Sequence, residues 1–385
     1  MRRPRNSDEK PRKRPGRNLP ARAGTGSPPE QSASQTAVTR EQMAARDGRR
    51  PVNLALQGGG AHGAFTWGVL DRLLEDDSLA LDAISATSAG AMNAVVMAHG
   101  VACGGREGGR AKLAEFWQAV SEAGALFSPS SYAPWQRFLP GNAVFQESSA
   151  ALALQAVANM WSPYQFNPFD LNPLKDVLRR VVDFDHLQKS PHATRLFVNA
   201  TNVRSGKVRI FENPEITLQA VLASACLPNL FKAVEIDGEH YWDGGFMGNP
   251  ALFPLFYRGA SEDIIIVHIN PIERLEVPTT APEILDRTNE ISFNAVLLSE
   301  LRAIAFVARL REEEAVDATR YKHIRVHSIR DEAEMSRHGA ASKFDTDREF
   351  LTGLRDAGRR AAERWLARDA KKVGIESSID LSRFL

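Results

Sequence analysis

Three short stretches hold residues whose types and spacing could do chemistry. The first is Ile84-Ser85-Ala86-Thr87-Ser88-Ala89-Gly90-Ala91-Met92-Asn93. An apolar run leads into it and a small-residue, helix-competent run leads out, so Ser88 stands at a strand-to-helix turn between Ala86 and Gly90. Small residues two positions either side let strand and helix approach closely, and the serine hydroxyl is left at the tip. The helix beyond offers free N–H groups and a positive dipole end, which suit a developing oxyanion. The usual pattern is Gly-x-Ser-x-Gly. Ala86 departs from it by one methyl group, which excludes only a left-handed backbone there. The same residues also read as an ordinary helix start with Ser88 as its N-cap.

The second stretch, Gln57-Gly58-Gly59-Gly60-Ala61-His62-Gly63, lies between a short apolar strand, Val52 to Leu56, and a run with helical apolar spacing from Trp67 to Leu74. A glycine loop opening a helix presents several backbone N–H groups and binds anions. A P-loop is excluded because no Lys-Ser/Thr pair ends the loop. A dinucleotide reading stays open: Gly58, Gly60 and Gly63 fit Gly-x-Gly-x-x-Gly, and Asp82 stands about 20 residues further on. The third stretch, Asp243-Gly244-Gly245, ends another strand. Its glycines would let an aspartate be held against a neighbouring segment, although a plain Asp-Gly turn looks the same. A serine beside a ring of free N–H groups is what acyl transfer requires. His62, His240 and His268 lie near the right segments, but none is singled out as a general base.

These groups need elements to position them. Two consecutive strand-turn-helix units carry the glycine loop and Ser88. In a parallel sheet both turns open on the carboxyl rim. Arg195 to Asn202 and Lys207 to Phe211 read as a hairpin around Ser205-Gly206, and Val234 to Trp242 as another around Asp237-Gly238. Ile264-Ile265-Ile266-Val267 reads as a buried central strand. Apolar periodicity predicts helices over 283–314 and 346–372, with one more strand from His323 to Ile329.

The chain has 385 residues, 43% of them hydrophobic and 25% charged, enough for a large core. The net charge of +1 hides an asymmetry, because residues 1–50 carry thirteen Lys/Arg against five Asp/Glu. That basic stretch has almost no large apolar residues and is expected to be a disordered, solvated tail. Its basic residues have no interleaved aromatics, so nucleic acid is not an expected partner. Two cysteines, Cys103 and Cys226, are too few for a disulfide framework and show no metal-ligand spacing. No secretory signal is visible, and no apolar run approaches the ~20 residues of a membrane span. Cytoplasmic placement, with peripheral contact on an anionic membrane as an extension, is the expectation. Residues 104–190 combine helices, prolines and many aromatics, as lids over apolar sites do.

Taken together, Gly58-Gly59-Gly60-Ala61-His62-Gly63, Ala86-Thr87-Ser88-Ala89-Gly90, Asp243-Gly244-Gly245, Ala223-Ser224 through Pro228, and Asn249-Pro250 resemble the patatin-like phospholipase family over residues 52–270. The resemblance implies an α/β fold: a three-layer α/β/α sandwich with a mainly parallel central sheet, a helical lid insertion over 104–190 and C-terminal helices. A catalytic domain would cover 51–275, and 276–385 would be a mostly helical extension packed on it. It further implies a lipid acyl hydrolase of phospholipase A or lysophospholipase type, with Ser88 as nucleophile and Asp243 as base. The backbone N–H groups of Gly58, Gly59 and Gly60 would form the oxyanion hole in the glycine motif that ends at Gly63, Ala86 and Gly90 would belong to the nucleophile turn, and Gly244 and Gly245 to the aspartate's support. No metal or cofactor is implied. His62 stands where many members carry another residue, often Arg. Esterase, thioesterase or polyester depolymerase activity is the nearer alternative, and a catalytically inert lipid- or nucleotide-binding module the farther one.

Overall fold

The structure, a computed structural model, describes residues 48–125, 162–190, 194–317 and 320–384. Its centre is an eight-stranded sheet. β3 (Arg195–Asn202), β2 (Leu79–Ala86), β1 (Arg50–Leu56), β7 (Asp263–Val267) and β8 (Arg325–Ile329) lie side by side in that order and run parallel. β4 (Val208–Glu212), β5 (Val234–Ile236) and β6 (Glu239–Asp243) are antiparallel additions on the β3 side. The β5–β6 turn has left-handed backbone at Asp237 and Gly238, as an Asp-Gly hairpin requires.

Side chains alternate across the sheet, so each face has its own core. Leu54, Leu56, Ile84, Leu196, Val198, Ile265 and Val267 face one cluster; Ala55, Ala83, Phe197, Ile264, Ile266 and Val326 face the other. The first is covered by α1 (Gly63–Glu75), α2 (Ala89–Ala125), α3 (Pro173–Val181), α4 (Phe184–Lys189), α5 (Leu218–Ser224) and α8 (Arg348–Arg368). The second is covered by α6 (Phe253–Arg258) and α7 (Ala281–Glu312). The result is the three-layer sandwich. Full burial of each aliphatic side chain in β7 contributes about 1.5–3 kcal/mol, which anchors the strand beside β1.

Residues beyond 276 are built into this body. β8 adds a parallel strand, α7 roofs the second face, and α8 packs along α1. α7 starts at a capping box formed by Thr280 and Glu283. By length and composition it is the one helix among the described residues apolar enough to cross a membrane. The expectation concerned uninterrupted apolar runs, and α7 is interrupted by Asn294, Ser299, Glu300 and Arg302. In the fold, Leu297, Leu301 and Ile304 of α7 are buried on the sheet, while Ile284, Leu285, Ile291 and Phe306 stay exposed.

The glycine-rich stretch after Cys103 breaks α2 at Gly104 and Gly105. Phe116 and Trp117, counted among the aromatics of a lid, are buried in the core, whereas Tyr164 and Phe169 are exposed. The basic tail up to residue 47 and the aromatic stretch 126–161 lie outside the described residues.

One detail of the sheet positions the site. Phe197 and Val198 of β3 pair with β2 and β4 at once, and Ala200 and Thr201 pair with β4 and β6 at once. A strand residue has one neighbour on each side, so β4 takes one edge of β3 while β2 and β6 share the other. They meet there end to end, β2 finishing at Ala86 opposite Val198, and β6 finishing at Asp243 opposite Ala200.

Candidate active site

Ser88 follows β2 and precedes α2. Its backbone is left-handed, φ 55°, a conformation that costs a non-glycine residue of order 1–3 kcal/mol and persists only where the surroundings impose it. Those surroundings are visible. The Ser88 N–H donates to Ser224 Oγ at 2.9 Å. Thr87 Oγ1 donates to Gly248 O at 2.8 Å and also contacts Asn199 Oδ1. Gly90 is jammed against β1, where a Cβ would sit 2.5 Å from Leu56 O. Ala86 is an ordinary strand residue, buried and paired with Leu56 and Val198, so its methyl group is accommodated without left-handed backbone.

Asp243 ends β6 with its side chain buried. Its Oδ1 accepts the Gly245 N–H at 2.7 Å, and the Ser88 hydroxyl lies close enough to lower the pKa of its carboxyl group. Its own N–H donates to Cys226 O at 2.8 Å, and its carbonyl accepts from Thr201 Oγ1 at 2.8 Å. Burial is the dominant influence on the carboxyl group and pushes its pKa up to about 6, against the opposing hydrogen bonds from Gly245 and Ser88 and the positive charge of Lys343. Gly244 packs against Asn199 and Gly245 against the Phe293 ring. The two residues expected from the sequence to work together are thus brought together.

The glycine loop lies beside them, since a Cβ on Gly58 would fall 2.6 Å from Ser88 Cβ. The expectation that Gly58 donates to an oxyanion needs correcting: its N–H is committed to Asn249 Oδ1 at 2.6 Å, and Asn249 Nδ2 returns a bond to Gly58 O at 3.2 Å. Among the described residues, the N–H groups of Gly59 and Gly60 meet no acceptor. Gly63 begins α1 and packs on Ala89, where any Cβ would be 2.8 Å from the alanine methyl. Buried amides hold the loop from behind. Gln57 Oε1 accepts from the N–H groups of Ile269 and Asn270, Gln57 Nε2 donates to Asn294 Oδ1, and Asn270 Nδ2 donates to Gly58 O.

From above, the turn Ala340–Phe344 covers the loop. Gly60 is left-handed, φ +59°, and a Cβ there would be 2.3 Å from Lys343 O. Lys343 Nζ donates to Asn289 Oδ1 at 2.9 Å and Asn270 Oδ1 at 3.1 Å, and sits 5.2 Å from the Phe293 ring centroid. Desolvation lowers its ammonium pKa to about 8, with Glu290, Asp286 and Asp243 opposing.

No histidine among the described residues hydrogen-bonds to Ser88 or Asp243. His62 is buried, its Nε2 2.8 Å from Ser342 Oγ, and burial lowers its pKa well below the usual imidazole range. His240 lies 3.9 Å from Glu235. Burial pushes His268 down to about 3, so it is neutral at physiological pH. Asp82, the acid a dinucleotide site would use, is committed elsewhere, its carboxylate bonded to Arg195 and to the Ala260 N–H. Several supporting residues were not visible in the sequence. Asn199 left a trace, as a polar residue directly after the apolar run Leu196 to Val198. Thr87, Gln57, Asn270, Asn294 and Lys343 left none.

A family model of the patatin-like phospholipases matches residues 54–256, more than half of the chain, and spans the glycine loop, Ser88 and Asp243. The chain belongs to the patatin-like phospholipase family. Membership supports lipid acyl hydrolase activity in general. In this patatin-like protein, Lys343 and the rest of the covering turn lie outside the matched region. No curated protein matches the chain. Among solved structures, the crystal structure of VipD from Legionella pneumophila is similar at 14% identity, over 80% of this chain and 67% of that one, with a TM-score of 0.34.

Proposed function

We propose that this protein hydrolyses the carboxylic esters of phospholipids or related lipids through a Ser88–Asp243 dyad, as a phospholipase A or lysophospholipase. The observation that carries the reading is a serine held in left-handed backbone beside a buried carboxylate whose pKa is raised to about 6. An ordinary aspartate, near ~3.9, is too weak a base at neutral pH, and burial corrects this. Ser88 Oγ attacks the ester carbonyl and its proton passes to Asp243. The N–H groups of Gly59 and Gly60 hold the oxyanion. Collapse expels the alcohol, which takes the proton back from Asp243. Asp243 then deprotonates a water that attacks the acyl-enzyme; collapse breaks the acyl–Ser88 bond, Ser88 Oγ takes that proton back from Asp243, and the fatty acid is released.

Substrate choice would rest with residues 104–190. Exposed Tyr164 and Phe169, with the Lys232 ammonium 5.8 Å from the Tyr164 ring, suit an interface of acyl chains and anionic headgroups. This fits a cytoplasmic enzyme working peripherally on a membrane.

Ser88→Ala should abolish both fatty-acid release from phospholipid vesicles and labelling by a fluorophosphonate probe, with the fold unchanged by circular dichroism. Labelling without release from phospholipid, but with turnover of soluble acyl esters or thioesters, would select the esterase reading. Absence of labelling in the native protein would leave an inert binding module.

A further inference from the structure

Away from Ser88, one cluster of ligand-type side chains lies outside the proposed reaction. His99 and Cys103 are four residues apart on α2, just before its break, and so share a helix face. His186, on α4, reaches the same point. Cys103 Sγ is 3.5 Å from His99 Nε2 and 3.6 Å from His186 Nδ1. The three donor atoms all lie within 4.8 Å of one another.

That spacing suits thiol hydrogen bonds, and it equally suits a bound ion. With Zn–S of about 2.3 Å and Zn–N of about 2.05 Å, a tetrahedral ion holds sulfur and nitrogen about 3.5 Å apart. His99 Nε2 accepts the Asp183 N–H at 3.4 Å, so the ring proton is on Nδ1, and the one Nε2 lone pair would leave that long bond to take an ion. That Nδ1 is buried and has no partner among the described residues. His186 is held by the N-cap of α4, its N–H donating to Asp183 Oδ1 at 2.9 Å. Cys103 and His186 are exposed, so an ion has access.

We infer that His99, Cys103 and His186 form a binding site for a borderline-soft divalent cation of the zinc class, with water in the fourth position. The donor set, one thiolate and two neutral imidazoles, suits Zn²⁺ rather than Mg²⁺ or Ca²⁺. Binding releases the thiol proton. The ion would tie α2 to α4 and would take no part in ester cleavage. Two of the three ligands are histidines, so the spacing of the cysteines alone gave no sign of the site.

The test uses the full-length chain without an affinity tag, reduced and stripped with chelator, and titrated with Co²⁺ and then Zn²⁺. One equivalent of Co²⁺ should give the d–d bands of a tetrahedral ion and a thiolate charge-transfer band, both lost on adding Zn²⁺. Cys103→Ser should lose the charge-transfer band, and His186→Asn should weaken binding by about 10-fold or more. Both positions are exposed, and retained ester hydrolysis would verify that the variants fold. Zn²⁺ should raise the melting temperature of the native chain but not of Cys103→Ser. A chain that binds no Co²⁺ at millimolar concentration, or a charge-transfer band that survives Cys103→Ser, overturns the inference.

Discussion

Replacing Asp243 by Asn removes a charge while keeping the side chain's shape and its acceptor for the Gly245 N–H. Burial raises the carboxyl pKa from an ordinary 3.8 to about 6. At about 1.4 kcal/mol for each factor of ten, ionising this group in the folded protein costs about 3 kcal/mol more than in the unfolded chain. The direction follows from proton linkage. Between the two values the folded state keeps a proton that the unfolded state has released. The cost is therefore absent below about pH 4, grows from about pH 4 to 6, and is constant above that. Asp243→Asn should be more stable than wild type by up to about 3 kcal/mol at about pH 8, and no more stable near pH 4. Its hydrolysis should fall by about 10²–10⁴-fold, the range for losing a general base. Urea denaturation at both pH values, beside a wild-type pH profile of fatty-acid release, makes the comparison. Wild-type kcat/KM should rise along an acid limb near pH 6. Equal or lower stability of the variant at alkaline pH, with wild-type activity flat across the acid range, would refute the reasoning.

The covering turn supplies two further checks. Lys343→Met keeps an apolar stem against Phe293 but removes the charge that holds Asp243 down, so the acid limb of kcat/KM should move to higher pH. An inflection near pH 8 from Lys343 itself should also vanish; an unmoved profile would exclude the coupling. Gly60→Ala and Gly206→Ala impose similar left-handed strain, φ +59° and +65°, but only Gly60 faces Lys343 O, while Gly206 has open space. Strain alone costs about 1–2 kcal/mol in each. Thermal unfolding and turnover should therefore show a distinctly larger loss for Gly60→Ala, and equal losses would mean that the turn gives way freely.

The parts of this fold legible in the sequence are those whose physics is local. Ile264 to Val267 announce a strand buried on both faces, Asp237-Gly238 a hairpin, and Ala86 to Gly90 a sharp strand-to-helix turn. Asp243-Gly244-Gly245 was legible only in company with the other two motifs, since an Asp-Gly pair alone is common. What stayed hidden acts across the chain. Asn249 takes the Gly58 N–H from 191 residues away, which changes how many loop donors remain for an oxyanion. Ser224 fixes Ser88, and Lys343 roofs Gly60, through contacts that no periodicity encodes. Asp82 shows the reverse error: correct spacing for a ribose-binding acid, cancelled because Arg195 and Ala260 already occupy it.

Because β2 and β6 abut along one edge of β3, the gap between the ends that carry Ser88 and Asp243 is measured out by a third strand. Ala86 faces Val198 and Asp243 faces Ala200, so two steps of β3, about 7 Å, separate the two ends. β3 acts as a ruler that donates no reacting atom. Loops around the rim can be rebuilt while that spacing stays put, and a one-residue slip of β2 or β6 along β3 would shift Ser88 and Asp243 apart without replacing either residue.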